Sequence, residues 1–424
     1  VAYRAFSDVA GKGAFFLVTV LAARLLDASS FGVFSLGTTL GWLVSVVTDF
    51  GIQLHLAREL ARRPADASIL LSSWLRARLW LAGGVFGGVA IVIAATGVGG
   101  QYTTALLLFV LVYILGGLVE FLHYFYRGLA RSDIESTFTL LQRFGMLACV
   151  AAALIWRPGL TALAFAMLLP AAATLAFSLT LASKMAREAS RGATTEALPT
   201  LWGFSRDVLP IGVGIVLSAM YFRIDVFLIE FWKGITAVAQ YNAVFRLVEA
   251  LRLFPAAVLA VALPSLCRAT NTRPLVFVSL WLTGFAALVS LVVGIAAGWL
   301  VPFVYGATYA GAVPAFRILL AAFPLMSLNY ALTHQLVGWN AHRAYALIAG
   351  TALVFNVAIN SRLIPAMSIA GAAWATLCTE AVLTIGALAA LRFVTATAPS
   401  AVSSAFGRTW PKLEGGRGPE IPRA

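Results

Sequence analysis

The sequence predicts an all-α polytopic membrane protein, and three observations carry that expectation. Of its 424 residues, 61% are hydrophobic and only 11% are charged. Mean hydropathy is +0.91, far above that of a soluble globular domain. Apolar runs of the length that crosses a bilayer as a helix, about 20 residues, recur from end to end. Cutting at polar or Gly/Pro clusters gives spans at 8–26, 33–55, 74–96, 104–126, 137–156, 160–183, 207–232, 236–263, 275–301, 314–337, 343–364 and 369–394, twelve helices in all.

Each span has its own boundary signals. The first stays apolar to Leu26 and lacks a small-residue cleavage site, so it is expected to persist as a helix and not as a cleaved signal peptide. The second ends before the basic run RELARR at 58–63, and the third opens at Trp74. GVGG at 97–100, RGLARSD at 127–133 and RPG at 157–159 separate the next three spans. SKMAREASRGATTEALPTLWGFSRD at 183–207 is the longest polar connection and leaves six helices on each side. In the second half KG at 233–234, CRATNTRP at 267–274, YGATYAGA at 305–312, WNAHR at 339–343 and the LIP turn at 363–365 make the cuts.

This division predicts an N-terminal lobe at 1–190, a cytoplasmic linker at 191–206, a C-terminal lobe at 207–394 and a disordered, Pro/Gly/Ser-rich cytoplasmic tail at 395–424. RPGLTALAFAMLLPAAATL at 157–175 and IPAMSIAGAAWATLCTEAVL at 364–383 each open the last helix of a half. That similarity suggests parallel repeats about a pseudo-two-fold axis along the membrane normal. The strings LAGGVFGGVA at 81–90 and IAGAAWAT at 369–376 read as close helix packing.

The net charge of +13 comes from 30 Lys and Arg against 17 Asp and Glu. With both termini cytoplasmic, 22 of the basic residues fall at inside connections and adjoining span ends, 4 at outside ones and 4 within spans. This bias orients a multi-pass protein in the inner membrane with anionic lipid at its cytoplasmic face, and it argues against a nucleic-acid partner. Cys149, Cys267 and Cys378 are scattered, and His55, His123, His334 and His342 sit near span ends without metal-ligand spacing. No metal, cofactor or catalytic residue is expected. GKG at 11–13 lacks the spacing of a phosphate-binding loop.

Four arginines remain inside spans: Arg223, Arg246, Arg252 and Arg317. The stretch YFRIDVFLIEFW at 221–232 adds Asp225 and Glu230, with Glu230 close to the outer interface. A charge at that depth is costly and faces a cavity or a partner, not lipid. Arg223 and Arg246 are each ten residues from the 233–236 turn, so both lie about 15 Å below the outer boundary. Arg246, Glu249 and Arg252 are spaced by three on one helix face. Asp49 and Glu59 are expected to pair with Arg58 or Arg62, while Glu120 and Glu380 are further acids within spans.

These segments resemble the polysaccharide transporter branch, which includes the O-antigen flippases, of the multidrug/oligosaccharidyl-lipid/polysaccharide exporter superfamily. The likeness rests on ARLLDASSFGVFSL at 23–36, TDFGIQLHLAREL at 48–60, RIDVFLIEFWKGITAVAQYNAVFRLVEAL at 223–251, VYGATYAGA at 304–312 and NVAINSRLIPAMSIAGAAWATLCTE at 356–380, in that order. Two departures are Asp27-Ala28 in place of Gly-Pro and Ser368 in place of a glycine. The resemblance implies a carrier, not an enzyme. It would move undecaprenyl-pyrophosphate-linked or related lipid-linked oligosaccharide outward by rocking of two lobes, for surface polysaccharide synthesis. Glycan-assembly proteins would be partners, and a proton or sodium gradient a driving force. The cleft would be lined by helices 1, 2, 7 and 8. Arginines suit a diphosphate because a guanidinium grips it bidentately. Arg24, Arg223, Arg246, Arg252 and Arg317 are therefore the substrate-binding candidates, with Asp225 and Glu249 as supporting or ion-coupling groups. A drug exporter of the same superfamily would favour carboxylates in its cavity, and a membrane glycan polymerase or ligase would need a longer outside loop than any connection here provides.

Overall fold

The structure is a computed structural model that describes residues 2–96, 100–190, 201–268, 273–339 and 341–397. Residues 191–200 of the expected linker and 398–424 of the expected tail lie outside the described residues. Among the described residues the regular elements are helices: α1 (Ala2–Leu25), α2 (Ala28–Asp49), α3 (Ile52–Arg62), α4 (Ala67–Thr96), α5 (Thr103–Gly128), α6 (Ser132–Trp156), α7 (Leu160–Ala189), α8 (Leu201–Lys233), α9 (Ile235–Leu251), α10 (Leu253–Arg268), α11 (Arg273–Tyr305), α12 (Val313–Gly338) and α13 (His342–Thr397), with three short 3-10 turns. Ten helical segments are long and apolar enough to cross a membrane. Counting α9 with α10 as one span and α13 as two gives the expected twelve.

Three boundaries differ from the sequence expectation, each for a local reason. The second span does not continue to 55. The chain turns at Phe50 (φ 44°) and Gly51 (φ 83°), and the short helix α3 follows, burying Ile52, Leu56 and Leu60 on one face. The carboxylate of Asp49 accepts from the backbone N–H of Gly51 (3.1 Å) and Gln53 (3.2 Å), holding that turn. The eighth span breaks at Arg252, where Pro255 in the first turn of α10 has no N–H for Leu251. α8 begins at Leu201, ahead of the expected lobe boundary at 207.

α13 folds back on itself at Ser368, whose φ of 54° and ψ of −134° are non-helical. Asn356 donates to Thr379 Oγ1 across the two arms (3.0 Å), and a Cβ on Gly371 would lie 2.2 Å from the carbonyl oxygen of Leu363. Only glycine fits so close to backbone. IAGAAWAT is thus a packing motif, whereas LAGGVFGGVA is not. A Cβ on Gly83, Gly84, Gly87 or Gly88 would meet nothing within 4 Å. These glycines lie on an open face of α4, and Gly88 borders an apolar side groove with Leu36, Phe227 and Glu230.

Helices α1–α7 pack among themselves, as do α8–α13, giving two lobes. α2 runs against α8 and α9 of the other lobe, and α1 meets α9 and α11. At the distal end, where α1 ends, the lobes are clasped. The rings of Phe31 and Tyr309 meet edge-on with centroids 5.7 Å apart, and Gly32 is so close to α9 that a Cβ would lie 2.2 Å from the carbonyl oxygen of Ile235. At the proximal end, where α1 begins, Lys12 and Glu120 are exposed to a cavity.

Candidate functional site

The charges of α8 and α9 converge where the two lobes meet. Arg223 is buried, with 2% of its surface exposed, so every polar atom of its guanidinium needs a partner. Its Nη2 donates to Thr39 Oγ1 on α2 (3.0 Å) and to Asn242 Oδ1 on α9 (2.9 Å). Its guanidinium carbon stands 4.7 Å over the ring of Phe245. Nη1 has no hydrogen-bond acceptor and is 3.9 Å from Glu249 Oε1. Glu249 also accepts from Arg246 Nη1 at 2.7 Å. One carboxylate therefore serves two arginines, and the trio carries one net positive charge.

Asp225 does not join that trio. Successive residues point about 100° apart on a helix, so Asp225 faces away from Arg223. Its carboxylate accepts from the hydroxyl of Tyr241 and from the backbone N–H of Val226 (2.9 Å), and Tyr241 in turn lies 3.3 Å from Thr376 Oγ1. Asp225 ties α8 to α9 and α13 through a phenol, which corrects the expectation that it holds an arginine.

A polar opening lies in the N-terminal lobe. A cavity of 380 Å³ is lined by residues of α1, α2, α5, α6 and α7, among them Lys12, Phe15, Trp42, Tyr113, Glu120 and Arg143. The Phe15 ring lies 5.4 Å from the guanidinium carbon of Arg143 and 5.6 Å from that of Arg246. One arginine from each lobe thus comes near this ring. Tyr113 is within electrostatic reach of Arg246, Arg143, Glu249 and Arg223. Arg143 reads in the sequence as one of the inside basic residues that set topology. Its place midway along α6, with Phe144 on the exposed outer side, is the signal that distinguishes it from a loop charge.

The remaining candidates stand elsewhere. Arg24 donates to the carbonyls of Phe303 and Val304 (2.8 Å for the latter), which have no intrahelical partner at the end of α11. It belongs to the distal clasp and not to the cavity, a correction that follows from its position at the end of α1. Arg317 is exposed and donates to the carbonyl of Gly294 on α11 (3.2 Å), also away from the cleft. Arg252 is turned from Arg246 by the α9–α10 break. Its guanidinium carbon stands 4.4 Å over Phe222 and it lines a small pocket of 130 Å³ in the C-terminal lobe with Asn329 and Glu380. Asn329 donates to Glu380 Oε2 (2.7 Å). Asp49 pairs with buried Arg78, not with Arg58 or Arg62, because the α2–α3 turn points it toward α4; Glu59 does pair with Arg62 (3.4 Å). Arg78 also donates to the carbonyl of Gly117 (3.2 Å).

Comparison with known proteins accords with this architecture. The family model described as "Polysaccharide biosynthesis protein" matches residues 1–270. The chain belongs to the polysaccharide biosynthesis protein family. No curated protein sequence matches it. Among solved structures, the fold resembles an inward-facing multidrug resistance MATE family transporter of the MOP superfamily (TM-score 0.71, 13% identity, 94% of this chain and 96% of that one). It also resembles a MOP superfamily transporter from Pyrococcus furiosus whose structure is described as having a binding pocket of reversed polarity (TM-score 0.63, 14% identity, 93% and 95%). A third likeness is to the lipid II flippase MurJ in an inward closed conformation (TM-score 0.58, 12% identity, 92% and 88%). At these identities the likeness is one of fold. This member of the polysaccharide biosynthesis family is a multi-pass membrane protein built on the two-lobe plan of those structures.

Proposed function

We propose that the protein is a flippase for lipid-linked oligosaccharide, moving it between membrane faces by alternating access for surface polysaccharide synthesis. The observation that carries this reading is the pair Arg143 and Arg246, one from each lobe, both within 5.6 Å of the Phe15 ring, which lines a polar cavity. A diphosphate carries several acceptor oxygens and suits two guanidiniums. Because the arginines belong to different lobes, a bound headgroup bridges them and moves with the rocking of one lobe on the other. The aromatic walls Phe15, Trp42 and Tyr113 offer flat faces to sugar rings. Glu249 holds Arg223 and Arg246 in place without neutralising both.

This site favours an anionic substrate over a cationic drug, since the central trio is net positive. The reading makes the protein a carrier with no catalytic residue. It places the protein in a cytoplasmic membrane with both termini inside, as the basic bias suggests, and makes it a neighbour of the glycan-assembly machinery. The two lobes then correspond to 1–190 and 207–394, with the segment between them as linker. Deletion of the gene in a strain lacking a redundant flippase is expected to leave lipid-linked oligosaccharide on the cytoplasmic face and to stop surface glycan assembly. Normal surface glycan without accumulation refutes the reading.

A further inference from the structure

The C-terminal lobe has a pocket of its own, separate from the N-terminal cavity. Its 130 Å³ lie among α8, α12 and the two arms of α13, with Arg252 reaching in from the α9–α10 break. Glu380, on the second arm of α13, has only 4% of its surface exposed. Its Oε2 accepts from Asn329 Nδ2 at 2.7 Å, and among the described residues no hydrogen bond reaches Oε1. Asn329 is fixed in turn, because its Oδ1 accepts from Thr384 Oγ1 at 2.8 Å. The carboxylate is therefore held in one orientation with a charged acceptor left for whatever enters.

The other polar groups complete a set that suits one chemical class. His334 Nδ1 is 2.7 Å from the Tyr330 carbonyl, so in the neutral ring it carries the hydrogen and leaves Nε2 as an acceptor. Arg252 supplies donors. Tyr221, Tyr330 and Tyr345 add flat faces and hydroxyls that both donate and accept, with Ser218 in reach of Tyr221 and Tyr345. Arg252 and Glu380 are within electrostatic reach of one another, and their charges cancel. The pocket thus differs from the net positive trio of Arg223, Arg246 and Glu249: it favours neither an anion nor a cation, but a neutral molecule dense in hydroxyls. At 130 Å³ it is well below the roughly 300–1,000 Å³ of a pocket for a drug-sized ligand, so one sugar ring is the size it admits. A single pair of rings links it to the N-terminal cavity. Trp42 lines that cavity and meets Phe222 with centroids 6.3 Å apart, and the guanidinium carbon of Arg252 stands 4.4 Å over the same Phe222.

We propose that this pocket is a sugar subsite, in which Glu380, Arg252 and His334 bind the hydroxyls of one ring of the glycan whose anionic headgroup lies at Arg143 and Arg246. The identity of that glycan rests on the flippase reading. The two lobes then have different tasks: the N-terminal cavity holds charge, and the C-terminal pocket reads the hydroxyl pattern. A buried group placed to bond a hydroxyl is left unpaired when that hydroxyl is missing or inverted, which is how such a pocket discriminates.

The test uses the purified full-length protein in nanodiscs, with empty nanodiscs as the blank. Saturation-transfer NMR follows binding of free glucose, galactose, mannose, rhamnose, N-acetylglucosamine and N-acetylgalactosamine, and calorimetry follows inorganic pyrophosphate. At least one of the sugars is expected to bind the wild type, to lose about tenfold in affinity in Glu380→Gln, which removes a charged acceptor, and to keep its affinity in Arg143→Lys. Pyrophosphate is expected to do the reverse, weakening about tenfold in Arg143→Lys and not in Glu380→Gln. Ala349→Leu fills the pocket without removing a polar group and is expected to abolish sugar binding, which keeps the test decisive if Glu380→Gln does not fold. In a complemented deletion strain Ala349→Leu should lower surface glycan tenfold or more. Failure of every sugar to bind, sugar binding that survives a folded Ala349→Leu, or normal surface glycan in a strain whose only copy carries Ala349→Leu overturns the proposal. Normal surface glycan in the deletion strain itself is a different result: it removes the flippase reading and leaves the binding measurements standing.

Discussion

A charged side chain inside an apolar helix is informative at the residue scale only when its partner is known. Arg223, Arg246 and Glu249 are conspicuous in the sequence because hydrocarbon surrounds them, and they meet at the lobe interface. Depth along a helix can be counted, but the direction a side chain faces depends on where the helix breaks, which is why Arg252 separates from the trio and Asp225 pairs with Tyr241. Arg143 escapes a sequence reading for a different reason: basic residues near a span end are the same signal that sets topology. Two predictions belong here. Arg143→Lys and Arg246→Lys should each impair surface glycan in a complemented deletion strain by tenfold or more, since an ammonium cannot make two parallel bonds to a phosphate. Arg317→Lys, on an exposed site beside Gly294, should restore it fully. The buried Asp49–Arg78 pair makes the opposite kind of test. Arg78→Met alone leaves a buried carboxylate uncompensated and should cost about 3–5 kcal/mol of stability. Adding Asp49→Asn, which removes the charge but still accepts from Gly51, should recover most of it, read as the thermal unfolding midpoint of each purified variant.

At the element scale, the breaks within helices carry more information than the helices do. Composition and length were enough to mark twelve spans, because apolar residues recur whatever the tertiary contacts. The bend at Phe50–Gly51, the break before Pro255 and the fold-back at Ser368 set the side-chain directions, and of these only Gly51 and Pro255 announce themselves by residue type. Ser368 sits where a glycine suits the backbone: at φ 54° and ψ −134° an L side chain is strained. Ser368→Gly is therefore expected to stabilise the α13 hairpin by about 1 kcal/mol. Glycines supply the matching contrast. Gly371→Ala should disrupt the hairpin, since its Cβ would meet the Leu363 carbonyl, while Gly84→Ala and Gly87→Ala on the open face of α4 should be tolerated. Expression level and unfolding midpoint of the three variants decide this, and equal losses in all three would remove the distinction between packed and open glycines.

For the whole molecule, the structure is clasped at the distal end and exposed at Lys12 and Glu120 in the cavity toward the proximal end. The sequence foretells two lobes from its longest polar connection, but not which end is closed, because the closing contacts join residues far apart in the chain. Arg24 reaches Phe303 and Val304, and Gly32 touches Ile235. Arg24 is charged, but the backbone carbonyls it meets carry no mark in the sequence, and nothing about Gly32 points to Ile235. A carrier that alternates must break this clasp in its other state, so weakening it shifts the balance between the two states by whatever free energy the contact contributes here and not there. Arg24→Ala removes the donors to the α11 carbonyls, and Gly32→Ala places a methyl group against Ile235. Both should depopulate the distally closed state, whereas Gly13→Ala, whose Cβ would meet nothing, should not. The measurement is labelling of a single cysteine at Thr139, which lines the proximal cavity, in a background with the native cysteines replaced, using an impermeant thiol reagent presented from the proximal face. Labelling should slow in both Arg24→Ala and Gly32→Ala and stay unchanged in Gly13→Ala. If both clasp variants label as fast as the parent, the distal contacts are not part of the switch, and the opening of the cavity must be governed from the proximal end.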